Sequence, residues 1–238
     1  MKSIKTKKKS IGEGSPCFIA AGIAEEYNKN LDRAKILISA AAEAGCDAVR
    51  FCSKGISKES CRKIFDFCQE KNLIFYVSVF EEKDSEWLAD IDIPIFKIPS
   101  EKLRDLFLVE YVAKRKKPII LSLGLASEKE IDRAVTTVYK SGNEKVILQY
   151  CVFDYPAKIE KLNLKSILYC KKNFGVPVGF SDHSEGKEAS CLAVALGADI
   201  IEKHLDFGGK KRPYCLTPET IGEWVFQIRR TEKAVGRA

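Results

Sequence analysis

The chain has 238 residues, 45% of them hydrophobic, with 40 basic and 33 acidic side chains that give a formal net charge of +7. That length suits one large domain, and the two charge signs are interspersed rather than gathered into the basic stripe of a nucleic-acid binder. No apolar stretch is long enough to span a membrane, and the basic start "MKSIKTKKKSIGEGSPC" has no apolar signal core.

Short β-branched runs alternate with longer stretches of helical periodicity from one end of the chain to the other. A lysine-rich segment, "SIKTKKKSIG", comes first and reads as a solvated hairpin. The run "CFIAAGIA" (17–24) then precedes "LDRAKILISAAAEAG", and "AVRFC" (48–52) precedes a helix around 57–71. "IFYVSVF" (74–80) leads to a short helix near 84–90, and "IPIFKIPS" (93–100) leads to "KLRDLFLVEYVAKRK". "PIILSLG" (118–124) precedes "SEKEIDRAVTTVYKSG", where Ser127 and Glu130 form a capping box. "KVILQYC" (145–151), "VPVGFSDH" (176–183) and "DIIEKHL" (199–205) complete the strands, each followed by a helix.

Strands that are apolar on both faces imply a parallel sheet covered by helices. Eight such units, with no linker or composition break across residues 1–238, predict a single (β/α)8 barrel, the hairpin closing its bottom. An open doubly wound sheet is the alternative, but "AAGIAEE" after the first strand is not a dinucleotide fingerprint. The nine cysteines include no C-x-x-C pair, and most lie in apolar runs, which predicts reduced thiols in a cytoplasmic protein.

Chemistry in such a barrel sits at the C-terminal ends of the strands. Polar residues collect there: Arg50, Ser78, Lys97, Ser100, Ser122, the trio Ser181, Asp182 and His183, and the trio Glu202, Lys203 and His204. The chain has only two histidines, and both fall at this rim on neighbouring strands. By strand alternation Ser181 shares a face with His183, and Glu202 shares one with His204. If both faces point inward, two imidazoles and a carboxylate converge, which suits manganese, iron or zinc. Arg50 and Lys97, with the serine hydroxyls, could hold phosphate or carboxylate oxygens. A lysine in mid-strand, as in "IFKIP", needs an anionic partner because burying an unpaired ammonium is costly.

These motifs resemble the N-acetylneuraminate (sialic acid) synthase family over nearly the whole chain. "FKIPS", "KPIILSLGLASEKEIDRAV" and "LTPE" carry part of the likeness, and the pair "GFSDHS" and "IEKHL" is its most specific part. The resemblance implies a barrel enzyme, commonly a homodimer, that condenses phosphoenolpyruvate with an N-acetylated aminosugar aldehyde. Water attacks C2 of phosphoenolpyruvate, C3 attacks the aldehyde, and phosphate leaves by C–O cleavage. It further implies that His183 and His204 ligate a divalent metal, usually Mn2+. Lys97, Ser78, Ser100, Ser122 and Ser181 would bind the phosphate, with Arg50 where the family has a lysine. Asp182 belongs to the same substrate-binding motif, and Tyr155 and Glu202 are the expected catalytic groups.

The sequence also departs from the family. Gly22 stands where the family has a glutamate, Tyr27 where it has a histidine, and Lys102 where it has an acidic residue. The loop "GGKKRPYC" lacks the family's aspartate, and the chain stops where members carry a C-terminal antifreeze-like domain. Two readings therefore stand: a divergent synthase in which Glu25, Glu26 or Glu101 replaces the missing carboxylates, or a member that only binds a phosphorylated metabolite or a partner synthase. A separate chain could supply the absent domain.

Overall fold

The computed structural model describes residues 3–6, 8–23, 29–208 and 212–236. Strands β1 (Ile4–Lys5) and β2 (Ser10–Ile11) form an antiparallel hairpin. Eight strands then alternate with eight helices: β3 (Phe18–Gly22), α1 (Leu31–Glu43), β4 (Ala48–Cys52), α2 (Lys58–Glu70), β5 (Ile74–Ser78), α3 (Glu82–Ile91), β6 (Ile95–Ile98) and α4 (Leu106–Ala113). The second half continues with β7 (Ile119–Ser122), α5 (Glu128–Lys140), β8 (Val146–Cys151), α6 (Ser166–Phe174), β9 (Val178–Asp182), α7 (Glu188–Ala195), β10 (Ile200–His204) and α8 (Ile221–Ala234). Strands β3 to β10 are parallel neighbours in sequence order, and β10 pairs with β3 to close the barrel. The expected (β/α)8 architecture is therefore present. Among the described residues no helix is long and apolar enough to cross a membrane, and none of the nine cysteines is disulfide-bonded.

The helices form for local reasons. In α1 the buried residues Ala34, Leu37, Ile38 and Ala41 recur at helical spacing, and the Asn30 side chain caps the first turn by accepting from the backbone N–H groups of Asp32 and Arg33. The Ser127–Glu130 capping box starts α5 as expected. One expected helix is shorter than its periodicity suggested. The stretch from Ser100 to Lys102 is a 3-10 turn, and α4 begins only after Asp105, whose carboxylate accepts from the Leu108 N–H at 3.1 Å. That local cap outcompetes continuation of a helix through Lys102.

Strand alternation divides the core in two. Outward-facing residues such as Ile19, Val49, Phe75, Phe96 and Leu121 pack against the helices. The inward set is a separate apolar cluster: Phe18, Ala20, Ala48, Ile74, Tyr76, Ile95, Ile120, Ile147 and Ile200, joined by Ile4 and Ile11 of the hairpin. Ile11 is fully buried and Ile4 nearly so. The hairpin thus plugs the N-terminal mouth, and Lys5, Lys8 and Lys9 stay exposed on the outside. The other mouth is left for polar side chains.

Candidate active site at the C-terminal mouth

Except for Gly22 on β3, the inward strand positions above the apolar cluster carry polar or sulfur side chains. Parity with Ala48, Tyr76 and Ile200 places Arg50, Cys52, Ser78, Glu202 and His204 inside the barrel, and Lys97, Ser122, Cys151 and Ser181 join them. Together with Ser100, Glu101, Phe153, Tyr155, His183, Arg212 and Tyr214 they line one cavity of about 480 Å³.

At its floor lies Glu202, fully buried on β10. Its carboxylate accepts from Lys97 Nζ at 2.9 Å on each oxygen, from the Tyr76 hydroxyl at 2.6 Å and from Arg50 Nε at 3.2 Å. Burial alone would raise this carboxyl, but Lys97, then Arg50 and the Tyr76 hydroxyl outweigh it and hold it well below the usual range. Glu202 is thus a fixed anion with both oxygens engaged. Expected as a catalytic group, it holds two cations under the cavity. Those cations exceed it by one charge, and the surplus faces the cavity.

The hydroxyls sit around this cluster. Ser78, Ser122 and Ser181 are each nearly buried at the ends of their strands. The Ser100 hydroxyl accepts from the Gly124 N–H at 3.2 Å and lies 3.3 Å from Cys151 Sγ. A Cβ at Gly124 would come within 2.7 Å of that sulfur, so this approach needs glycine. Burial pushes the Cys151 thiol up, which keeps it protonated.

His183 and His204 do face one another, their ring centroids 5.6 Å apart. The His183 Nδ1–H donates to the Val152 carbonyl at 2.8 Å, which leaves Nε2 as the acceptor nitrogen, 3.2 Å from the Ser181 hydroxyl. Burial first, and His204 second, push His183 down to about 3, so its imidazole is neutral near pH 7. Nε2 of His204 lies 3.3 Å from Arg50 Nη2. The Tyr155 ring lies tilted over the His183 ring at 4.3 Å, meets His204 edge-on at 6.2 Å and is 5.4 Å from the Tyr214 ring.

Asp182 is a correction. It points away from the cavity and is fully buried between β9, β10 and α7. There it accepts from the Ser184 N–H and hydroxyl at 2.9 and 2.6 Å and from the Ser190 hydroxyl at 2.6 Å, and pairs with Lys203 at 3.1 Å. Adjacent residues of a strand face opposite ways, so Ser181 and Asp182 cannot both enter the barrel. Lys102 also stands outside the cavity, in reach of Asp105 at 4.0 Å, whereas its neighbour Glu101 lines it. Glu25, Glu26 and Tyr27 lie outside the described residues.

Sequence reasoning missed Tyr76, Cys52, Cys151, Arg212 and Tyr214. Stepping back by two from Ser78 would have found Tyr76, and stepping on by two from Arg50 would have found Cys52. Arg212 and Tyr214 come from the loop after β10, and nothing in their spacing announces them.

A closed parallel barrel with a buried cation-rich cluster and paired imidazoles at its C-terminal mouth belongs to the class of (β/α)8 barrels, whose active sites lie at that mouth. Within that class, residues 52–238 match the NeuB family pattern, and the chain belongs to the NeuB family. It is 33% identical to the uncharacterized protein MJ1065 of Methanocaldococcus jannaschii, over 99% of this chain and 77% of that one. It is 30% identical to the N,N'-diacetyllegionaminic acid synthase of Campylobacter jejuni, over 92% of this chain and 77% of the relative. The fold superposes with a TM-score of 0.94 on the N-acetylneuraminic acid synthetase of Leptospira borgpetersenii in complex with citrate, covering 99% of this chain and 90% of that one at 30% identity. The resemblance to the sialic acid synthases is thereby established.

Proposed function

We propose that this barrel is a divergent nonulosonic acid synthase, which holds phosphoenolpyruvate at its C-terminal mouth and joins it to an N-acetylated aminosugar aldehyde. The observation that carries the reading is the Glu202–Lys97–Arg50 cluster. One carboxylate is set against two buried cations beneath an open cavity, so a charge remains for a bound anion. Lys97 and Arg50 supply the positive charge, and Ser78, Ser100, Ser122 and Ser181 supply short donors around it. Tyr155 and Glu101 line the upper cavity, where an acceptor sugar would enter. With Gly22 and Lys102 lacking carboxylates, Glu101 takes the proton-transfer role.

The histidine pair fits a divalent cation as an open site. His183 is neutral and oriented through Nδ1, as a ligating imidazole requires. Among the described residues no group of three or more His, Cys, Asp or Glu side chains could enclose a metal, so the remaining positions would fall to water and substrate oxygens. His183 and His204 would hold the ion, Mn2+ being the expected one, and it would polarise the aldehyde oxygen. A homodimer and a cytoplasmic setting complete the reading, the latter in keeping with the unbonded thiols. The test is phosphate release from phosphoenolpyruvate with Mn2+ and a panel of N-acetylated aminosugars. Sugar-dependent release supports a synthase. Binding of phosphoenolpyruvate without release under any sugar reduces the protein to an anion-binding member of its family.

A further inference from the structure

Three distances around Arg50 belong together. Its Nε donates to Glu202 at 3.2 Å, its Nη1 donates to Cys52 Sγ at 3.1 Å, and its Nη2 lies 3.3 Å from Nε2 of His204. Its Nε–Nη2 edge faces the Glu202 carboxylate, Nη2 also lying 3.2 Å from Oε1, so Nη2 sits between that carboxylate and the imidazole. The space the guanidinium occupies is the space above Gly22. A Cβ built at Gly22 would stand 2.9 Å from Nη2 and 3.4 Å from Cζ. Gly22 pairs directly with both residues in the sheet, with Arg50 on one side and His204 on the other. A side chain at position 22 and a guanidinium in this pose exclude one another.

A guanidinium only donates, so Nε2 of His204 is the acceptor in this contact, and an imidazole nitrogen that accepts has one in-plane lone pair. While His204 accepts from Arg50, that lone pair is engaged. A metal ion can take it only by displacing Nη2, and the guanidinium stays charged at every relevant pH. We infer that Gly22 and Arg50 act as one device that sets the metal affinity of the mouth: Gly22 makes room for the guanidinium, and Arg50 competes with a divalent cation for Nε2 of His204. The inference rests on the reading that His183 and His204 take such a cation beside the anion. It adds that this chain weakens its own metal site in exchange for a firmer hold on the anion. Lysine at position 50 would keep the charge near Glu202 but has no planar fork to reach both Glu202 and His204.

Mn2+ binding to the full chain, followed by calorimetry and by the loss of the free-ion electron paramagnetic resonance signal, tests this without turnover. Arg50→Lys should bind Mn2+ at least about tenfold more tightly than wild type, in the range that neighbours of a metal ligand command. Gly22→Ala should tighten it by a smaller factor, because its Cβ meets only the far end of a flexible side chain. His204→Ala should abolish the gain in either background. Circular dichroism checks that the variants fold, and Gly22→Ala carries the test alone if Arg50→Lys does not. Equal Mn2+ affinity in wild type and both variants, with loss in His204→Ala, overturns the competition and leaves the metal site standing. No Mn2+ uptake by any of them, with phosphoenolpyruvate present, overturns the metal reading and the competition together.

Discussion

Strands β9 and β10 each contribute to two buried charge clusters, one on either face. Inside the barrel, Ser181 and Glu202 meet Lys97, Arg50 and Tyr76. Outside it, one residue further along each strand, Asp182 meets Lys203, and the serines of 184 and 190 satisfy its oxygens. The outer cluster is closed. One cation balances one anion, Lys203 also donates to the Ser184 carbonyl at 2.6 Å, and Trp224 Nε1 seals Ser190 at 2.9 Å. The inner cluster is open, with an extra cation and a cavity above it. Burial and polarity are nearly the same in the two. Charge balance separates the fastening between sheet and helices from the cluster beneath the cavity.

The largest expected effect falls on the anion of each cluster. Removing one partner of a buried ion pair typically costs about 3–5 kcal/mol, because the other charge stays buried and unpaired. Asp182→Ala and Glu202→Gln should both lose stability on that scale in urea unfolding. Their response to ligand should differ. Saturating phosphoenolpyruvate at about a hundred times its Kd stabilises a folded protein by about 2.7 kcal/mol. In Asp182→Ala that increment should match wild type. In Glu202→Gln it should exceed wild type at equal ligand concentration, since the ligand then supplies the only negative charge facing Lys97 and Arg50. Equal increments in the two variants would mean that the inner surplus charge is not what binds the anion.

A smaller effect separates the two lysines. Lys97→Met removes a charge-assisted contact worth about 1.5–3 kcal/mol, so phosphoenolpyruvate affinity should fall by about ten- to a hundredfold in calorimetry. Stability should suffer less than in Glu202→Gln, because Glu202 keeps Arg50 and Tyr76 as donors. Lys203→Met should leave anion affinity unchanged, since its side chain is buried against Asp182 on the far face. A drop in affinity there would show that the two clusters communicate through the strand.

The same face logic explains what could be read from the sequence. Eight strand–helix units were visible because strands buried on both faces are apolar throughout and helices keep their own period. The inward pairs Ser181–His183 and Glu202–His204 were visible because a strand repeats every two residues. Asp182 obeys the same rule: within the contiguous motif "FSDHS" it takes the face opposite to Ser181 and His183 and meets Lys203. Tyr76 was hidden. Within "IFYVS" an aromatic reads as core, and although parity with Ser78 puts it inside the barrel, only the 2.6 Å bond across the barrel shows its hydroxyl reaching Glu202. The contact of Gly22 with Arg50 and His204 lies between strands, and no spacing along one chain encodes it.

The smallest effect tests where the open cluster ends. Gln149 lies on β8 between Ile147 of the apolar floor and Cys151 of the cavity wall, beside Ser122 and Gly179 in the sheet. It is fully buried, and neither atom of its amide has a hydrogen-bond partner among the described residues. An amide in that position costs about 1–3 kcal/mol relative to an apolar group of similar size. If the polar mouth stops above it, Gln149→Leu should raise stability by about 1 kcal/mol, a rise of about 2–4 °C in the melting midpoint for a domain of this size. Phosphoenolpyruvate affinity should not change, because the leucine would simply extend the floor formed by Ile120 and Ile147. A loss of stability, or a fall in anion affinity, would place the amide with Lys97 and Glu202 instead. The open cluster would then reach one layer deeper into the barrel than its charges show.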